Sequence, residues 1–135
     1  MKKSLLALLS VPVFLMSCSS VPKQVNLYNK HPEDPRIDFA QCLVDKKATL
    51  YSIDYCPYCE DQEKLFGEKA WKVLQPNVVD CGYLLGVLNG EQAPICNERK
   101  IFSYPTWVFG DGKKVNGYLD FKQLEYCSGC EYNGR

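Results

Sequence analysis

The chain predicts an α/β domain built as a leading helix and then β-α-β-α-β-β-α around a central mixed sheet. Three observations carry that expectation. A strand-like apolar run, Leu50, Tyr51 and Ile53, leads into Cys56-Pro57-Tyr58-Cys59 and straight on into a helix-like stretch. Apolar segments of strand and helix character then alternate to residue 127, and Asp111-Gly112 punctuates the last two strand runs as a hairpin turn. The length, 135 residues, suits one small domain with a single core.

Each element follows in order. Residues 37–46 suit a short helix with Ile37, Ala40 or Gln41, and Val44 on one face. Residues 48–53 read as a strand. Residues 57–74 read as a helix whose apolar stripe is Leu65, Phe66, Ala70, Val73 and Leu74, stopped by Pro76. A short strand at 77–80 and a helix at 91–100 come next. A strand at 106–109 turns into another at about 113–117. Asp120 is placed to cap a final helix to about Cys127. A parallel pair joined by a helix, followed by a hairpin and a closing helix, makes a layered α/β sandwich.

The N-terminus reads as an export signal. Lys2 and Lys3 precede an apolar stretch, Leu5 to Met16, that is too short to span a bilayer. It ends in Leu15-Met16-Ser17-Cys18, which resembles a bacterial lipobox, where the cysteine is acylated and becomes the mature N-terminus. The expected division is therefore a signal peptide at 1–17, a tether at 18–36 and a domain at 37–135. Pro22, Pro32 and Pro35 punctuate the tether, and it holds His31, the sole histidine, as a solvated residue. A lipid anchor on Cys18 places the domain at a membrane surface in the cell envelope, facing the periplasm. Ser19 and Ser20 after the cysteine resemble outer-membrane sorting in bacteria with two membranes. Formal net charge is zero, so nothing points to a nucleic-acid partner.

The chemistry lies in the cysteines. Cys56 falls at the N-cap of the 57–74 helix, with Pro57 at the favoured first helical position. Unpaired backbone N–H groups and the helix dipole stabilise negative charge there, which suits a nucleophilic thiolate. Cys59 lies one turn later, within reach, as the resolving thiol. Asp54 reads as a solvated turn residue, with proton relay to the thiols as the sharper alternative. The second C-x-x-C, Cys127-Ser128-Gly129-Cys130, falls at a helix C-terminus, where the dipole disfavours a thiolate, so a structural disulfide is expected there, with a regulatory pair or metal ligation as the alternatives. Neither motif is followed by histidine, and their separation is far longer than in a compact zinc ribbon, so no haem, metal or other cofactor is expected.

Cys56-Pro57-Tyr58-Cys59 after the first strand, together with Tyr104-Pro105-Thr106 before the third, resembles a thioredoxin-fold protein. Val79-Asp80-Cys81, Ala93-Pro94-Ile95-Cys96 and Tyr104-Pro105-Thr106-Trp107 extend the similarity to the thioredoxin-like domain of bacterial vitamin K epoxide reductase homologues, from about Leu50 to Tyr126. The resemblance implies a cis Tyr104–Pro105 bond facing the dithiol, with Tyr104, Pro105 and the exposed Tyr58 contacting substrate. It implies a pair at Cys81 and Cys96. As a disulfide, that pair would close a loop of about 15 residues and stabilise the fold by about 3 kcal/mol; a second redox pair is the alternative. Cys42 is then left over, as a buried thiol or as a partner of Cys127 or Cys130. Trp107 is expected in the core, and the facing of Trp71 is open.

The reading is a membrane-anchored thiol:disulfide oxidoreductase outside the cytoplasm. Its expected substrates are protein or small thiols and disulfides. A quinone-linked membrane enzyme is implied as oxidant by the resemblance, and a membrane electron donor is the opposite possibility. The competing class is a non-catalytic binding lipoprotein on a disulfide-stapled scaffold.

Overall fold

A computed structural model describes His31 and residues 33–82 and 92–134. The expected signal peptide, Cys18 and most of the tether lie outside the described residues. Helix α1 (Pro35–Asp45) leads into β1 (Thr49–Ser52), α2 (Pro57–Leu74), a single 3-10 turn, β2 (Val78–Asp80), α3 (Pro94–Glu98), β3 (Thr106–Val108), β4 (Lys114–Asn116) and α4 (Phe121–Ser128). The sheet order is β2-β1-β3-β4, with β1 and β2 parallel and the other pairs antiparallel. This mixed sheet with its helices is the arrangement of a thioredoxin-like fold, as the order of elements predicts.

Strand alternation builds two packed layers. Leu50 and Trp107, paired across β1 and β3, face a core shared with Phe39, Leu43 and Phe66. Tyr51 faces the opposite side, where it packs with Cys81, Cys96 and Ile101 next to α3. Phe121 stands edge-on to Phe39 and Phe66, at 5.4 and 5.6 Å between ring centroids, so α1, α2 and α4 share one aromatic cluster. Trp107 is fully buried in that core, as expected.

Three details differ from the sequence expectation. Helix α1 starts at Pro35, because Asp34 caps it by accepting from the Arg36 N–H. Its buried face is Phe39, Ala40 and Leu43, while Ile37 and Val44 lie at the margin. The contacts that α1 makes with the aromatic cluster favour Phe39 and Leu43, which the periodicity alone did not separate from their neighbours. Helix α2 is interrupted at Gly67, whose φ of 71° and ψ of 167° are not helical. Helix α3 is shorter than the expected 91–100. The hairpin agrees: Gly112 takes a φ of 85°, and Asp111 accepts from the Lys113 N–H.

Candidate active site

The site forms where β1 ends and α2 begins. Cys56 is the N-cap residue of α2, with extended φ/ψ of −95° and 111°, and Pro57 opens the helix. The Cys56 carbonyl accepts from the N–H groups of Cys59 and Glu60, both at 3.0 Å, which closes the first turn tightly. Cys56 is half-buried and Cys59 buried, and both are free thiols.

Across from them the Tyr104–Pro105 peptide bond is cis. The Cys56 thiol donates to the Tyr104 carbonyl at 3.7 Å. The Pro105 carbonyl in turn accepts from the Gly117 N–H at 2.7 Å, which ties the end of β4 to the same loop. A groove of about 510 Å³ is lined by Tyr58, Asp61, Gly117 and Tyr118, and Tyr58 is 64% exposed beside it. Tyr58, Tyr104 and Pro105 therefore converge with Cys56 and Cys59 on one end of the molecule. Asp54 is exposed in the turn before Cys56.

Burial pushes the Cys59 thiol up from its ordinary range, and the hydrogen bond with Cys56 adds to this. The Ser52 hydroxyl and the Ile53 backbone oppose the shift by favouring a thiolate. The Tyr104 phenol is also raised, chiefly by burial and then by the charge that Cys59 would carry. Burial thus disfavours the Cys59 thiolate, while Cys56 is the more accessible sulfur.

Two neighbours escaped the sequence reading. Ser52 lies on the Leu50 face of β1, and the signal was a hydroxyl two residues past a core leucine. Gln62 is fully buried three residues after Cys59. Its amide oxygen accepts from Trp107 Nε1 at 3.1 Å and the Leu119 N–H at 2.9 Å, and its nitrogen donates to the Leu119 carbonyl at 3.0 Å. Gln62 thereby fastens the segment that carries Tyr118 to the helix that carries the dithiol. Its signal was a polar residue in line with Cys59, Phe66 and Ala70 on the inward face of α2. Tyr104 has a comparable support: its hydroxyl donates to Gln92 Oε1, and the Gln92 amide donates to the Ile101 carbonyl at 3.0 Å.

The remaining cysteines pair as the resemblance implies at Cys81 and Cys96, and differently from the helix-polarity expectation at Cys127 and Cys130. Cys81 and Cys96 are bonded. The expected Cys127–Cys130 pair is not formed. Cys130 is bonded to Cys42, and Cys127 is free. The reason lies in the end of α4. Gly129 is left-handed, with a φ of 69°, and its N–H closes on the Glu125 carbonyl. That turn carries Cys130 off the helix and into the core against α1, while Cys127 stays on the helix. Among the described residues no group of side chains could hold a metal ion.

Comparison with known proteins adds a relationship. No family model matches the chain. The chain is 31% identical over 96 residues to the thiol-disulfide oxidoreductase LTO1 of Arabidopsis thaliana. The match covers 69% of this chain and 24% of LTO1, so the chain spans about a quarter of that relative's length. The similarity supports a thiol-oxidoreductase relationship for a thioredoxin-like domain.

Proposed function

We propose that the protein is a thiol:disulfide oxidoreductase that works by exchange at Cys56 and Cys59, exported and tethered to a membrane through an acylated Cys18. The observation that carries the exchange chemistry is the half-exposed thiol at the α2 N-cap, with a buried thiol, its pKa raised by burial, one turn behind it. The name of the matched relative, LTO1, supports the same chemistry.

The Cys56 thiolate attacks one sulfur of a substrate disulfide. A Cys56–substrate bond forms, the substrate disulfide breaks, and the departing sulfur takes a proton. Cys59 then loses its proton and attacks Cys56 Sγ, which releases the second substrate thiol. The substrate gains two electrons and the Cys56–Cys59 pair loses them; the reverse sequence oxidises a dithiol. Tyr58 and the Tyr104–Pro105 loop would flank the substrate sulfur during the mixed-disulfide stage.

The test is a pair of variants. Cys56→Ser is expected to abolish exchange with a model disulfide. Cys59→Ser is expected to accumulate a stable mixed disulfide at Cys56, visible as an added mass. Exchange that persists in Cys56→Ser, or a Cys59→Ser protein that never traps substrate, would refute the mechanism.

A further inference from the structure

The sheet register orients charge as well as chain. In β1 and β2 the carboxyl ends approach the dithiol, so Asp54 and Asp80 lie at that end. Gly82 lies between them: its N–H donates to Asp80 Oδ1 at 2.7 Å, and a Cβ added there would lie 3.5 Å from the Asp54 nitrogen. On the other side of the thiols, the first turns of α2 present Glu60 and Asp61, both largely exposed. Lys64 reaches each of these carboxylates at 3.6 Å and offsets part of their charge. The opposite end of the sheet is basic. Lys46 and Lys47 precede β1. Lys114 pairs with Val108, which pairs with Thr49 at the start of β1, so β4 begins at that far end too. Asp45 and Asp111 are the acids beside Lys46 and Lys47 there. Among the described residues the charge along the sheet is thus polarised, with the reactive thiols at the negative end.

The groove beside the motif gives this polarity a direction. Asp61 lines it together with Tyr58 and Tyr118, so a substrate lying there meets a carboxylate flanked by two aromatic rings. Coulomb attraction at partly exposed charges is modest at contact, but it acts on the encounter over about a Debye length. Aromatic faces beside a carboxylate also favour a cation.

We infer that the site selects positively charged disulfides and thiols, such as a cysteine flanked by lysine or arginine in an extended polypeptide, and discriminates against anionic ones. Asp61 is the specificity-determining residue. This rests on the exchange reaction proposed above and names its substrate class.

The experiment compares three small disulfides with the reduced protein: cystamine, with two ammonium groups; bis(2-hydroxyethyl) disulfide, which is neutral; and 3,3′-dithiodipropionate, with two carboxylates. Each rate is divided by the rate of the same disulfide with dithiothreitol, which cancels intrinsic reactivity. The expected normalised preference for cystamine over the dicarboxylate is about tenfold at low ionic strength, and it shrinks towards unity near ~1 M salt. Asp61→Asn lowers the preference, and Lys46→Gln, at the far end, leaves it unchanged. A ratio near unity at low salt, or one that Asp61→Asn does not move, overturns the inference while leaving the exchange reaction intact. A reduced protein that reacts with none of the three overturns the exchange reading itself, and this inference with it.

Discussion

Cys59 shows how one residue's surroundings shift its thiol chemistry. It is buried on the inward face of α2, so its charged form is disfavoured, and the Ser52 hydroxyl only partly offsets this. The linkage has a definite sign. The folded chain keeps the Cys59 proton at a pH where the unfolded chain has released it, so the unfolded state binds fewer protons and stability falls as pH rises. Below about pH 8.5 both states are protonated and the contribution is complete. In a Cys56→Ser background, which removes the neighbouring thiol, denaturant titrations should show stability falling as pH is raised above about 8.5, relative to the same protein carrying Cys59→Ala. Parallel pH profiles for the two proteins would contradict the buried-thiol account.

At the scale of the element, α2 depends on one glycine. Pro57–Leu74 is two helical stretches that meet at a kink at Gly67, whose φ/ψ lie in a region that only glycine enters freely. A Cβ there would also come within 2.8 Å of Arg36 Nη1, a guanidinium held over the break by its paired contacts to Asp34 at 2.8 and 2.9 Å. The break lets the first half of α2 present Cys56 and Cys59 while the second half packs Ala70 and Leu74 into the core. Gly67→Ala should destabilise the protein by about 2 kcal/mol, because the backbone must leave its native conformation. Glu68→Ala, at an exposed position paired with Lys72, should leave stability nearly unchanged. Thermal melts of the two variants check the contrast, and equal melting temperatures would refute it.

At the scale of the molecule, two disulfides hold opposite layers. Cys81–Cys96 closes a separation of 15 residues on the α3 side. Cys42–Cys130 closes one of 88, joining α1 to the segment after α4. In the chain-entropy account the longer closure restrains the unfolded chain more, by about 4–5 kcal/mol against about 3 for the shorter. The tail beyond it is fixed by packing as well: Tyr132 stacks on Phe121 at 3.9 Å, and its N–H donates to Glu125. Urea unfolding without reductant should show Cys42→Ala/Cys130→Ala losing more stability than Cys81→Ala/Cys96→Ala. Cys127→Ala should change little. A large effect of Cys127→Ala with none at Cys130 would mean that the bond runs to Cys127.

The sequence by itself determined most of the elements and the place of the Cys56–Cys59 pair. Period-2 and period-3.6 patterns are local, and so is the N-cap that Cys56 and Pro57 form, so β1, α2, the Asp111-Gly112 turn and the Asp120 cap were all legible. Only the tertiary structure decided what depends on contacts between distant residues. It chose Cys42 over Cys127 as the partner of Cys130, because the left-handed turn at Gly129 swings Cys130 towards α1. It set Gln62 against Trp107 and Leu119, where a buried amide on an apolar stripe can find three partners. It also gathered Asp54, Glu60, Asp61 and Asp80 at one end of the sheet. A disulfide, a buried hydrogen bond and a field are each fixed by three-dimensional distance, which no local pattern encodes.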